Sequence, residues 1–407
     1  MNSGGAKRST RYLVTTSLFA LTLTPLGHVP ATGAVKESPV RNTKAAETGA
    51  VYGNGYLAWM QAGDRGHDTD ILLRSPSGRV TRVNSRGTHG ELGGMDGPRL
   101  VYQEYVGQSS MGYGRHEWSR LRILNVKTHQ RRTLKRLNSR AWEYMPSISR
   151  NKLMYGRVKG QRRTLRIYNL RTGDDRRATY GYLHRDDYLQ PGQINGGRYI
   201  TYLTWWNVTP SVSWRDIKTG KGKSYGGSSY YNLWAPSVGP DGTLYYLEAG
   251  RRCGQHPVFV RWRIDDDYGL PGDPEVLTRL PHGIEASRSY TYFENGIPHV
   301  LYDRARCKNF YREGDIYQAI DAYRLNVEIR GKGSGSVTSK ALGIACPGDC
   351  SHMYRTGRHI ELRAKPEFLS RFAGWSRNCY PGGQNRVCEI SVDRTRNISA
   401  TFDIGAR

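Results

Sequence analysis

Beyond Leu26 the sequence has no apolar run approaching the ~18 residues of a membrane-spanning helix, and no sustained helical periodicity. Acidic residues are scarce, with 35 Asp and Glu against 61 Lys and Arg, a formal net charge of +26. Cysteine is absent before Cys253. The sequence has no G-x-S-x-G elbow, no H-E-x-x-H and no phosphate-cradling glycine loop, which removes the common hydrolase, zinc-peptidase and nucleotide-binding readings. Asp186-Asp187 and Asp265-Asp266-Asp267 read as solvated loop acids, because neighbours along a strand point to opposite faces and make a poor catalytic pair. No catalytic residue, metal or cofactor is assigned.

What is present begins with a leader. Lys7, Arg8 and Arg11 precede the apolar stretch from Tyr12 to Leu26, and Thr32-Gly33-Ala34 offers a small-residue cleavage site. Residues 1–34 are therefore read as a signal peptide, and the product as secreted, extracellular and free of any membrane span. All six cysteines lie beyond it, at Cys253, Cys307, Cys346, Cys350, Cys379 and Cys388. An even number in an exported chain favours disulfides, and the C-x3-C and C-x8-C spacings are not those of zinc sites. Removing the leader subtracts three cations and no acids, so the charge falls from +26 to +23. Between Arg115 and Arg185, 20 Lys or Arg face four Asp or Glu. Such a field concentrates polyanions. Outside the cell these are acidic polysaccharides and wall polymers before nucleic acid.

Residues 50 to 322 repeat an apolar-x-aromatic element: Leu57-Ala58-Trp59, Leu100-Val101-Tyr102, Leu153-Met154-Tyr155, Ile200-Thr201-Tyr202, Leu244-Tyr245-Tyr246 and Val300-Leu301-Tyr302. Successive starts are 43, 53, 47, 44 and 56 residues apart. A second short strand pattern and a turn follow each one, which is the layout of propeller blades. Ala235-Pro236-Ser237-Val238-Gly239-Pro240-Asp241-Gly242, with a weaker copy at Met145-Pro146-Ser147-Ile148, resembles the blade signature of TolB-like (PD40-type) propellers. That resemblance implies an all-β, six-bladed β-propeller over residues 35–322. The sixth repeat runs into the next region without an outer strand, so Ser38-Pro39-Val40-Arg41-Asn42 is expected to close the ring by pairing into blade six.

From Tyr323 the pattern changes. Gly343-Ile344-Ala345-Cys346, Phe372-Ala373-Gly374-Trp375-Ser376 and Ser399-Ala400-Thr401-Phe402 resemble the bacterial β-repeat domain appended to secreted and surface proteins. The resemblance implies a small, disulfide-stapled β domain over residues 323–407, with bonds Cys346–Cys350 and Cys379–Cys388. Phe368-Leu369-Ser370-Arg371 is bulkier than that pattern usually allows. Cys253 and Cys307 fall in corresponding loops of blades five and six and are expected to bridge.

Propellers carry function on loops. Mapping the repeats collects Trp142, Tyr182, His184, Arg185, Trp205, Trp206, Tyr230, Tyr231, Trp234 and His282 on one face as candidate ligand-binding residues. Aromatic faces suit sugar rings, and Arg suits carboxylate or phosphate. Arg132, Arg136 and Arg163 form an expected basic flank, with Arg132 and Arg136 in the outer strand of blade two and Arg163 before the third strand of blade three. The reading is a monomeric binding protein for an acidic glycan or wall polymer, with cell-wall association left open. The alternatives are a metal-independent uronate lyase using His184, Tyr182, Arg185 and His282, though without the histidine-glutamine motif of oligogalacturonate lyases, or a scaffold for an envelope protein.

Overall fold

The structure, a computed structural model, describes residues 37–41, 43, 45–62, 69–105, 119–138, 141–160, 162–179, 188–206, 209–226, 231–250, 255, 257–263, 274–307, 314–340, 343–380 and 385–405. Residues 33–407 form one compact unit. Among the described residues it contains strands and no helix, arranged in eight sheets.

Six sheets are propeller blades. Their inner strands are Glu47–Gly53, His89–Asp96, Trp142–Ser149, Tyr188–Asn195 and Tyr231–Val238, and in blade six the pair Ile284–Glu285 and Ser289–Glu294. Antiparallel hairpins carry each blade outward, in blade one through Tyr56–Ala62, Thr69–Arg74 and Val80–Arg82. Neighbouring inner strands touch in cyclic order, and blade six returns to blade one.

The apolar-x-aromatic repeats are the second strands. Trp59, Tyr102, Tyr155, Tyr246 and Tyr302 are all fully buried, as are Leu100, Leu153, Ile200 and Leu244. A second strand is covered on both faces by neighbouring blades, so it cannot alternate apolar with polar as a half-exposed strand does. Each such side chain stabilises the fold by roughly 1.5–3 kcal/mol.

Ring closure follows the sequence expectation. Glu37–Arg41 pairs antiparallel with Asp315–Ile320, with Glu37 opposite Ala319 and Pro39 opposite Tyr317. Pro39 is tolerated because this is an edge strand, with one side free of ladder bonds. Two ion pairs fix the segment: Arg304 to Glu37 at 2.9 Å and Arg41 to Glu47 at 2.6 Å.

The remaining two sheets belong to the C-terminal part. One runs Ser351–Arg355, Ala322–Arg330, Arg396–Ile404, Ser370–Trp375, with the middle two strands parallel. The other runs Ala345–Cys346, Gly335–Ser339, Arg358–Pro366, Val387–Val392. Disulfides Cys346–Cys350 and Cys379–Cys388 staple the ends, with Cα–Cα distances of 4.5 and 5.4 Å. Cys307 is also disulfide-bonded; its expected partner Cys253 lies outside the described residues.

The C-terminal sheets share one continuous apolar core with blades five and six, running from Tyr245, Phe259 and Tyr302 to Leu325, Ile360 and Phe402. Asp321, between the last blade strand and Ala322, is the polar centre of this joint. It is buried, pairs with Arg261 and accepts the Tyr245 hydroxyl at 3.0 Å. Arg355 reaches back to Asp241 of blade five, and Arg263 donates to the Thr356 carbonyl.

Two stability outcomes follow. Deleting residues 35–43 should lower unfolding stability by about 3 kcal/mol or more, through loss of one strand's burial. An unchanged melting temperature contradicts closure by Glu37–Arg41. Asp321→Ala should lower stability in urea unfolding, because Arg261 loses its buried partner and keeps only the half-exposed Glu275, and because the Tyr245 hydroxyl is left unpaired.

Candidate functional site

The axis comes first, because it decides where a ligand can go. The inner strands of blades one to five each break register at the same height, between Thr48 and Ala50, Leu92 and Gly94, Tyr144 and Ser147, Pro191 and Ile194, and Trp234 and Ser237. These are β-bulges, positions where a proline without an N–H is accommodated, which is why Pro146 and Pro236 stand there. Met145 and Ala235 before them take φ of 46° and 48°. A Cβ on Gly93 would lie 2.2 Å from the Pro146 carbonyl oxygen, so only glycine allows blades two and three to approach this closely.

Side chains then lace the axis between blades that are not neighbours. Gln193 of blade four donates to the Thr291 carbonyl of blade six at 2.6 Å and accepts from the Thr291 amide at 2.9 Å. Tyr290 of blade six donates to the Met95 carbonyl of blade two at 2.6 Å. Arg288 pairs with Glu91 of blade two at 2.5 Å, and Tyr105 donates to the same carboxylate at 3.0 Å. Burial opposes ionisation of Glu91, but Arg288 and Tyr105 outweigh it and hold its pKa below the usual carboxylate range. The cavity left on the axis is about 60 Å³. It has room for a few waters and none for a sugar ring.

The expected face is next. Tyr182, His184, Arg185 and Tyr230 lie outside the described residues, as do the side chains of Trp206 and Tyr231. Of the others, the aromatics sit on strands rather than on loops, and His282 lies in the turn before Ile284–Glu285. Trp142 lies in the inner strand of blade three, its ring 4.9 Å from that of Tyr144. Trp205, in the second strand of blade four, meets Trp234 of blade five edge-on at 5.0 Å. Both are half-buried. Aromatic side chains favour pleated surfaces and fill the wedge between blades, which explains their place in the strands.

The basic flank needs correction. The outer strand of blade two is only Arg131–Thr133, so Arg132 lies in it while Arg136 lies in the following turn. Arg163 is within the third strand of blade three, Arg162–Asn169, opposite Val158. The Arg136 guanidinium approaches Gly173, beyond the far end of that strand. The strand's length, roughly 20 Å, separates it from Arg163. These three residues do not converge. The surface around them is nevertheless cationic: Arg131, Arg132, Lys135, Arg136, Arg171 and Arg176 are exposed and make no ion pair among the described residues. Three of the acids nearby are committed, Glu104 to Arg122, Glu143 to Arg157 and Asp175 to Arg157 and Arg166, while the exposed Asp174 accepts from the Thr172 hydroxyl.

His282 lines a feature the sequence did not signal. A cavity of about 690 Å³ lies at the closure seam, between Thr43, Pro281, His282, Arg304, Arg306 and Asp315. Arg304 stacks 4.1 Å over Tyr317 and is neutralised by Glu37. Arg306 and His282 are exposed and have no acid partner among the described residues. Burial raises the Asp315 carboxyl above its ordinary pKa. The volume suits a small ligand. Four chain segments meet here, and no spacing in the sequence joins them.

No family model matches the sequence, and no curated protein matches it. Among solved structures, the chain is similar to TolB from Acinetobacter baumannii, at 11% identity over 65% of this chain and 63% of that one, TM-score 0.42. It thus spans less than two thirds of that protein. It is similar to a putative TolB from Agrobacterium tumefaciens, at 13% identity, 68% and 91% coverage, TM-score 0.41. A third is oligogalacturonate lyase from Vibrio parahaemolyticus, at 12% identity, 71% and 96% coverage, TM-score 0.40. The six-bladed propeller with its stapled C-terminal sheets is established by the chain's own strand pairing.

The axial pair gives a pH test. With its folded pKa depressed, Glu91 contributes stability above the usual carboxylate range and loses it as pH falls through the depressed value. Arg288→Met removes the largest influence opposing burial, leaving Tyr105 and His89, and so raises that pKa and weakens what holds the charged carboxylate at neutrality. The variant's stability deficit in urea should be largest near pH 7 and smaller at about pH 4.5. A deficit constant with pH removes Arg288 as the partner of Glu91.

Proposed function

We propose that the protein is a secreted or envelope-associated binding propeller that captures an acidic glycan or anionic wall polymer on its outer surface. The disulfides support an oxidising compartment. The observation that carries the reading is the cationic outer surface of blades two and three, where Glu104, Glu143 and Asp175 are committed to ion pairs and Asp174 is the exposed acid. A polymer is the ligand this surface suits, because the cations are spread over two blades and a small anion would meet one or two of them. The filled axis supports the same choice, since it denies a ligand the central channel.

The closure cavity favours a second reading specifically. A uronate lyase needs a base beside a group that neutralises the sugar carboxylate. His282 and Arg306 line one cavity and have those two chemistries.

Replacing Arg132, Arg136 and Arg176 by Ser should weaken binding to polyuronate about tenfold at moderate salt, taking each exposed charge at about 0.5 kcal/mol. It should also flatten the salt dependence, because screening acts over about 8 Å at physiological ionic strength. Melting should be unaffected, since exposed changes usually cost under ~0.5 kcal/mol. Unaltered affinity at low and moderate salt refutes the polymer surface. In the same assay, unsaturated-uronate absorbance that disappears in His282→Ala establishes the lyase instead.

A further inference from the structure

The C-terminal part ends in a feature that neither the propeller nor the stapled core uses. Phe368 is 91% exposed, Leu369 55% and Ile404 62%. They adjoin each other: Ser370 pairs with Ile404, and the Gly405 amide donates to the Leu369 carbonyl at 2.8 Å. The turn is built firmly. Glu367 donates its amide to the Ser334 carbonyl at 2.9 Å, and Ser334 donates its own to the Ser370 hydroxyl at 2.8 Å. Leu369 nevertheless takes φ of 62°, a conformation that suits glycine far better than a branched side chain. The free protein thus holds three large apolar groups in water, one of them on an unfavourable backbone.

Two further observations identify what covers them. Lys332, Lys365 and Arg371 are exposed around the tip and make no ion pair among the described residues. The acids there are the exposed Glu367 and the half-buried Asp403 opposite Arg371. The tip also lies far from the propeller. Ala322–Arg330 runs from the Asp321 joint to the turn preceding Ser334, nine residues or roughly 30 Å. A convex, cation-ringed apolar tip needs a matching pocket on a protein, whereas a fluid bilayer accepts it without one.

We propose that this distal tip inserts into the interface of an anionic lipid surface, with Phe368, Leu369 and Ile404 entering the acyl boundary and the three cations meeting headgroups. The apolar content is comparable to a single acyl chain, so attachment is reversible and depends on charge as the second signal.

The test uses residues 33–407, the compact unit without the apolar leader, and co-sedimentation at physiological salt with vesicles of phosphatidylcholine, alone or with phosphatidylglycerol. Binding should be at least tenfold stronger on the anionic vesicles. The double variant Phe368→Ser, Leu369→Gly should lose at least tenfold of it without a lower melting temperature, because glycine relieves the positive φ. Lys332→Ser, Lys365→Ser and Arg371→Ser together should remove most of the preference for phosphatidylglycerol. A double variant that partitions like the parent shows that the general basic surface holds the vesicles, and overturns the proposal. A parent chain that ignores both vesicles but self-associates through Phe368 assigns the tip to a protein contact and overturns it equally.

Discussion

The crowded axis governs the rest of the structure. Six inner strands converge where there is little room, and the chain answers with bulges at one height, glycine at the tightest approach and proline where no N–H is needed. Gln193, Tyr290 and Arg288 then cross the remaining gap to blades beyond their neighbours. A hydrogen bond at low local dielectric is worth more than one in water, and an unpaired group there is correspondingly expensive. The lacing therefore fixes the relative height of the blades as well as filling the channel. An axis filled by its own polar groups leaves the seam, the loops and the outer strands as the surfaces open to solvent.

The same economy of acids shapes the surface. Glu47, Glu104, Glu143, Asp216 and Asp321 are buried and each is paired with an arginine. Burying a carboxylate without such a partner costs several kcal/mol, so the interior claims these acids first. With 61 cations to 35 acids, the surplus has nowhere to go but outward. The cationic edge of blades two and three follows from this inventory as much as from any local sequence pattern. It is a field spread over two blades, suited to a long flexible anion more than to one headgroup.

How much of this was legible depended on whether the signal was local. The second strands announced themselves because Trp59, Tyr102 and Tyr155 recur at blade spacing and are buried on both faces. Closure by Glu37–Arg41 was legible by subtraction, since blade six lacked its outer strand and a spare strand pattern remained. Arg136 and Arg163 were misplaced because charged residues at a sheet edge read alike in a strand and in the turn beside it. The aromatics were expected on loops, yet Trp142, Trp205 and Trp234 lie within strands, where packing between blades uses the same residue types as sugar stacking. The seam cavity could not be read at all. Thr43, His282, Arg304 and Asp315 come from four segments that only the closed ring brings together.

The joint at Asp321 adds a consequence that neither part has alone. Arg261 and Tyr245 converge on one buried carboxylate, and the apolar core runs through without a break, so the C-terminal sheets extend blades five and six as a rigid arm. A flexible tether would let the distal tip and the cationic blades engage independently, each at its own modest affinity. A rigid arm fixes the distance between them. Two weak attachments on one body then reinforce each other strongly where a surface presents both partners at that spacing, and hardly at all where it does not. If the proposed apolar and electrostatic contacts are both made, rigidity at the joint converts them into a requirement on the geometry of the surface that is bound.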